Sequence, residues 1–280
     1  VETPLLAYIT QDLSRINFFL ALFNLIPGLP LDGGQVLKAL VWQLTGDRLT
    51  GSDWAALSGQ WLGGLANILG LVLLFSLGEA SGAWLALIGW FIWSNARLSS
   101  RWTQLQRHLL NMTAGQAMGR QFRVVAAHLT LQAFVQTYLL ENPEQWLLPY
   151  YAAANGRYQG LIPLGRFPRI ERSEWPWRTL QDIACPLTTI PCVTEQDSLA
   201  TVINRLEARR GALDDYGDRY LTVLSPAGAV AGVIDRGDVV KALAGQTAWS
   251  LSPEEIQRIK SEGVYPDVLP LAALARTLES

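Results

Sequence analysis

The sequence predicts a membrane α-helical bundle followed by an α/β body built from an internal repeat. Three observations carry that prediction. Half of the 280 residues are hydrophobic and 16% are charged, yet between Trp54 and Ala96 the formally charged side chain is Glu79 alone, the pattern of a chain solvated by lipid. Trp42, Trp54, Trp61, Trp84, Trp90, Trp93 and Trp102, most of the tryptophans, lie in the same half, and indoles favour membrane–water interfaces. Beyond residue 113 the charge density becomes that of a soluble protein, and two stretches repeat.

Apolar segments run over 13–26, 33–44, 57–77 and 82–98. The last two approach the ~20 residues that cross a bilayer, and the turn "GEASG" joins them. Gly59, Gly63, Gly64, Ala66 and Gly70 predict close helix approach, because small residues let backbones meet where lipid supplies no hydrophobic drive. Arg97, Arg101 and Arg107 follow the fourth segment, and the turn has no basic residue. The positive-inside rule then places the 45–56 loop and everything after Arg97 in the cytoplasm, with "GEASG" outside.

In the second half, 123–139 aligns with 191–206: Val125 with Val193, Thr130 with Ser198, Phe134 with Val202. Thr130 and Ser198 suit the N-caps of the helices that follow. Residues 146–164 align with 219–235, each reading strand, tight turn, strand, with Asn155-Gly156 and Ala227-Gly228 at the turns. Each repeat is therefore expected to run strand–helix–strand–strand–helix. The tail "SPEEIQRIKSEG" (252–263) has an N-cap serine, a proline at the first helical position and early acids, the signature of a packing helix.

Composition excludes some functions. A net charge of −2 without a basic stripe argues against nucleic acid. Cys185 and Cys192 form no CxxC pair and are expected to be buried thiols rather than a disulfide or zinc site.

The stretch "FNLIPGLPLDGGQVLKAL" (23–40) interrupts the apolar half with Pro27, Pro30, Gly28, Gly33, Gly34 and one carboxylate, Asp32. Backbone that is not helical survives at membrane depth only where protein or a water-filled cavity surrounds it. The expectation is an extended break between half-helices, with unpaired backbone edges to which a substrate strand could add. An ionisable group there is costly and by default functional. Asp32 calls for a partner of opposite charge, most simply a metal ion, and the Asn24 amide could donate to an oxyanion or an extended peptide. Two further readings stand beside this one: an interfacial loop in which Asp32 meets water, and a broken transporter helix that coordinates a cation.

"LALFNLIPGLPLDGGQVL" resembles the second catalytic signature of the site-2 protease family of intramembrane zinc metalloproteases, with Asn24, Pro27 and Leu31-Asp32-Gly33 in its order and spacing. The resemblance implies that Asp32 is a ligand of a catalytic Zn2+, that Asn24 holds the substrate backbone or polarises its carbonyl, and that the partners are a membrane-spanning protein substrate and the lipid bilayer. The family's remaining ligands come from HExxH. The histidines here are His108 and His128, neither in such a motif, so the chain alone should be inactive. It opens on Val1, and is expected to be the C-terminal portion of a protease whose HExxH helix lies upstream; a degenerate relative is the alternative, and a CBS-regulated transporter or channel subunit the rival from another class.

The repeat resembles a tandem CBS domain, or Bateman module, over 113–244, most clearly in "VAGVIDRGDVVKAL" (230–243). The resemblance implies that Asp238 contacts the ribose of an adenine nucleotide, that the pair modulates the membrane site, and that two copies pair as a homodimer through it. Asp238 could equally serve as an acid at a helix start. In the first repeat "GLIPLGR" (160–166) carries Pro163 and Arg166 instead. The domains read as 1–104 for the membrane part, 105–174 and 175–245 for the CBS pair, and 246–280 for the tail.

Overall fold

A computed structural model describes residues 4–140, 148–209, 219–246, 251–265 and 270–279. The chain divides into an N-terminal body, Val1–Arg107, and a C-terminal body, His108–Ser280.

The N-terminal body begins with α1 (Pro4–Asn24) and α2 (Asp32–Thr45), separated by the break, and continues with α3 (Arg48–Ser76) and α4 (Ser81–Asn111). The loop expected over 45–56 is largely helical. Gly46 ends α2 in the left-handed region (φ 73°), and Asp47 caps α3 at once, its carboxylate accepting from the N–H groups of Leu49 at 2.9 Å and Thr50 at 3.2 Å. Ncap acids satisfy amides that a first turn leaves unpaired, so two residues suffice for the connection. Arg107 reaches back to this corner, donating to Asp53 at 2.8 Å and Thr50 at 3.2 Å.

α3 and α4 pack through small residues. A Cβ on Gly63 would collide with the backbone of Gly89 and Trp93, and one on Gly70 with that of Gly82 and Ala86. Gly64, expected in the same contact, faces open space. The amide of Asn67 donates across the pair to the carbonyl of Ala86 at 2.8 Å. Large apolar side chains point outward instead: Phe75 is 80% exposed, Trp84 70% and Trp61 69%. Small residues inside and large apolar ones outside invert the arrangement of a water-soluble bundle. Among the described residues α3 is the helix long and apolar enough to cross a membrane, and 17% of its span is buried.

The C-terminal body holds two three-stranded mixed sheets, each with a parallel and an antiparallel pair. The first comprises β1 (Arg123–Ala126), β2 (Tyr150–Ala154) and β3 (Arg157–Leu161); the second comprises β4 (Cys192–Thr194), β5 (Tyr220–Leu224) and β6 (Val230–Asp235). The aligned hydroxyls do matching work: Thr130 accepts from Ala133 N–H and Ser198 from Thr201 N–H, each at 3.3 Å. Thr130 opens α6 (Leu131–Phe134), which continues as a π-helix over Val135–Leu140, and Ser198 opens α8 (Leu199–Ala208). Asn155 (φ 51°) and Gly156 (φ 74°) turn the first hairpin, as a turn with two positive φ angles requires.

One expectation gives way here. The first repeat lacks its closing helix: after β3 come 3-10 turns, Leu164–Arg169 and Arg172–Glu174. Pro163 and Pro168 supply no N–H to a helical ladder and restrict the residues before them. Hydrogen bonds also cross between the repeats. The short helix α5 (Ala114–Ala117) and the residues just after it precede the first sheet but bond to the second repeat, Ala114 N–H to Asp197 and Gly119 N–H to Val233, each at 2.8 Å. Reciprocally, α7 (Leu180–Ile183) precedes the second sheet but bonds to the first repeat, Leu180 N–H to Leu129 at 2.8 Å and Gln181 N–H to Ala127 at 2.9 Å.

One core lies within the first repeat, around Phe134, Tyr150 and Phe167. Another joins both, around Tyr151, Leu161, Cys185 and Val233, and there the Tyr151 hydroxyl meets that of Thr222 at 2.8 Å. Cys185 is buried as expected, whereas Cys192 is half-buried; both are free thiols. The second repeat closes with α9 (Arg236–Gln246), against which α10 (Pro253–Glu262) packs, and α11 (Leu271–Glu279) lies on α8. Ser252 caps α10, with Glu255 completing a capping box.

Candidate functional site

The break occupies residues 25–31, and its geometry follows from glycine placement. A Cβ on Gly33 would strike the carbonyls of Leu25 and Ile26, and one on Gly34 would strike the backbone of Gly28 and Leu29. The start of α2 therefore folds directly back against the break. Gly28 lies on Gly59 of α3, and a side chain on Gly59 would enter the carbonyl oxygen of Leu29. Leu29 N–H donates to the Ala55 carbonyl at 3.0 Å, and Leu29, Ala55 and Ala56 form a small buried cluster. The sequence marks Gly59 as a residue for close helix approach, but not as the seat of the break.

The break is not an extended edge. Leu25 N–H donates to Ala21, Ile26 to Phe23, Gly28 to Ile26 and Leu31 to Gly28, all between 2.9 and 3.2 Å. With Leu29 bonded to α3, and with no N–H on the prolines, every amide donor of 25–31 is in use. Two prolines and a glycine permit turns, and the bond from Leu29 N–H to Ala55 holds those turns against α3.

Asn24 is the last residue of α1 and is half-buried; Asp32 is the first of α2 and is exposed. Because Leu25 and Gly33 are in backbone contact, the break returns these two polar residues to one end of the fold. Among the described residues neither side chain is given a hydrogen bond. A carboxylate on the first residue of a helix also suits the dipole there. His108 lies half-buried in the last turn of α4 and His128 is exposed before α6, both in the C-terminal body.

A catalytic zinc needs three protein ligands. Among the described residues no three His, Cys, Asp or Glu side chains come together. The residues present thus offer one carboxylate donor and do not complete a zinc centre.

Residues 5–58 match the model of peptidase family M50. The match spans the break, Asn24 and Asp32. The chain is also 31% identical over 231 residues to a Synechocystis sp. protein, covering 82% of this chain and 59% of that one. It is 27% identical over 270 residues to Rip3 of Mycobacterium tuberculosis, covering 94% and 66%. Both relatives carry "Putative zinc metalloprotease" in their names. The chain therefore spans less than two thirds of the length of either. Among solved structures, the CBS domain of a bacterial CNNM/CorC family Mg2+ transporter aligns with 53% of this chain and 84% of its own, at 16% identity and TM-score 0.37.

A second polar cluster lies at the start of α9, far along the chain from residues 5–58. Asp238 is buried. Its Oδ1 accepts from Lys260 Nζ of α10 at 2.7 Å, and Asp235 Oδ2 lies 3.2 Å from the same ammonium. Burial, then the charge of Asp238, pushes the Asp235 carboxyl above the usual carboxylate range, with Lys260 opposing the shift. Burial works against the Lys260 ammonium, but its bond to Asp238 and the two carboxylate charges outweigh that and hold it above the ordinary lysine value. Lys260 is a residue that sequence reading missed: only its place beside the buried Ile259 hinted at an inward role.

The pH dependence follows from the raised Lys260. A cation with a raised pKa stabilises the folded contact fully below its unfolded pKa, and the contribution fades as pH rises through the folded value. α10 should therefore stay docked from neutral pH to the top of the ordinary lysine range and loosen above it. A nitroxide on a Ser261→Cys variant should gain mobility only at that alkaline limit; mobility rising already between pH 7 and 9 would contradict the assignment.

Proposed function

We propose that this chain supplies the Asn–Pro–LDG half of an intramembrane zinc endopeptidase that cleaves membrane-spanning proteins, with the CBS-like pair as its regulatory part. The observation that carries it is the break: an M50 segment in which Asn24 and Asp32 are brought to one end by glycine contacts, without hydrogen-bond partners of their own among the described residues. Asp32 would be one zinc ligand, the others coming from outside the described residues; bound zinc polarises a carbonyl and supplies hydroxide near neutral pH. Asn24 would present its amide N–H to the substrate carbonyl. Since the break's own amides are in use, the substrate backbone would be held by side chains such as Asn24 rather than by strand addition to 25–31.

A multipass membrane location is supported by outward-facing apolar side chains along 8–98, and cytoplasmic placement of the C-terminal body by Arg97, Arg101 and Arg107. An adenine nucleotide at Asp238 would then modulate the membrane site, which requires unequal binding to two conformations of the CBS-like pair.

The test uses the full-length gene product in detergent. Asp32→Asn should lose, on dialysis, zinc that the unaltered protein keeps. Asn24→Ala should keep its zinc but cleave about 10²–10³-fold more slowly, the usual loss for an oxyanion donor. Full zinc retention by Asp32→Asn would remove Asp32 from the metal site and the hydrolytic reading with it.

A further inference from the structure

The carboxylate assigned above to a nucleotide already has an occupant within the chain. Asp235 and Asp238 bond reciprocally: Asp238 N–H donates to Asp235 Oδ1 at 2.8 Å, and Asp235 N–H to Asp238 Oδ2 at 3.3 Å. One oxygen of each carboxylate is left over, and both converge on the ammonium of Lys260. The lysine stem crosses Gly237, where a Cβ would collide with Cγ and Cε of Lys260. Gly237 lies inside α9 without a positive φ, a position where alanine is the better helix former by about 1 kcal/mol. The glycine is thus accounted for by the lysine that passes over it. Ile259, buried next to Lys260, and the Arg236 guanidinium 5.9 Å from the Tyr265 ring centroid hold the same segment against the second repeat.

We propose that Lys260 is a latch that holds α10 over Asp238, so that a nucleotide using Asp238 binds only after Lys260 has left. The proposal rests on the reading of Asp238 as a nucleotide contact. Asp238 is buried beneath the Lys260 side chain, so a ribose diol reaches its oxygens only when the ammonium and its stem move aside. When the competent state is populated at a fraction f, the apparent Kd is weakened by 1/f. Releasing the latch removes that factor. Simple electrostatics predicts the reverse, because deleting a cation should weaken binding of an anionic nucleotide. The direction of the change therefore discriminates.

Two variants of the full chain, purified in detergent, test this. Lys260→Ala removes the charge; Gly237→Ala keeps every charge and displaces the stem. Hydrogen exchange over 253–262 reads the latch, exchange over β5 and β6 checks that the second repeat stays folded, and calorimetry with ATP and with AMP reads binding. Both variants should lose protection in α10 while β5 and β6 keep theirs, and both should bind one of the nucleotides about tenfold tighter, for a latch open about a tenth of the time. Unchanged α10 protection in both variants overturns the latch. Equal nucleotide affinity in variants and unaltered protein overturns the occlusion. Release of α10 with no nucleotide binding in any of the three proteins supports the latch and defeats the nucleotide reading instead.

Discussion

Gly59→Ala is expected to destabilise the N-terminal body by about 3 kcal/mol, the upper end of ordinary overpacking. The new methyl would enter the Leu29 carbonyl oxygen and press on the Ala96 side chain. Neither α3 nor the break can rotate it away, because the obstacle is backbone rather than the tip of a flexible chain. Relief would require the break to lift from α3, breaking the bond from Leu29 N–H to Ala55 and moving Asn24 relative to Asp32. Gly64→Ala is the matched control: nothing lies within 4 Å of its Cβ position, so it should be neutral or stabilising by up to ~1 kcal/mol through helix propensity. Denaturant titration in detergent, read by tryptophan fluorescence, compares them. Equal stabilities would mean that the break is not seated on α3. On the function proposed above, Gly59→Ala should also slow cleavage by the full-length protein without altering Asn24 or Asp32.

Arg236→Met is the second large effect, expected at about 3–5 kcal/mol. Arg236 is 1% exposed; its Nε donates to Glu207 at 3.0 Å and its Nη2 to the Leu206 carbonyl at 2.7 Å. Glu207 is itself nearly buried. Removing the guanidinium takes its ion pair from a carboxylate that is 9% exposed, and the penalty is mainly the desolvation of that charge rather than the worth of the pair itself. Replacing both partners, Glu207→Gln with Arg236→Met, should therefore recover much of the loss. Thermal melts of the full chain, with hydrogen exchange on β5 and β6 to localise the change, check both halves. A double variant as unstable as the single one would show that Arg236 acts through packing instead. Because Arg236 adjoins Gly237 and Asp238, this variant should also loosen α10.

Much of the repeat was readable because its signals are local. Thr130 and Ser198 announce helix starts through their own side chains, and Asn155-Gly156 specifies a hairpin through φ preferences that belong to those residues. The glycine contacts between α3 and α4 were readable as a class but not singly: Gly63 and Gly70 meet α4, whereas Gly64, adjacent in sequence, points away because helical neighbours lie about 100° apart. The break was legible as an interruption and misread in form. Prolines and glycines reveal that a helix stops; they do not reveal that α3 will accept Leu29 N–H and draw the segment into turns.

By itself, the sequence determined where the charge pattern changes, where several helices are capped, that a unit recurs, and that Asn24 and Asp32 flank an interruption. These properties are set by composition, capping and backbone preference, all of which act over a few residues. Tertiary structure alone decided that the α5 and α7 segments each bond to the repeat they do not precede, that the break is seated on Gly59, and that Lys260 closes over Asp235 and Asp238. Each of those is a pairing between residues well separated along the chain. No local preference encodes which distant partner will satisfy a buried amide or charge; that is settled only when the elements pack.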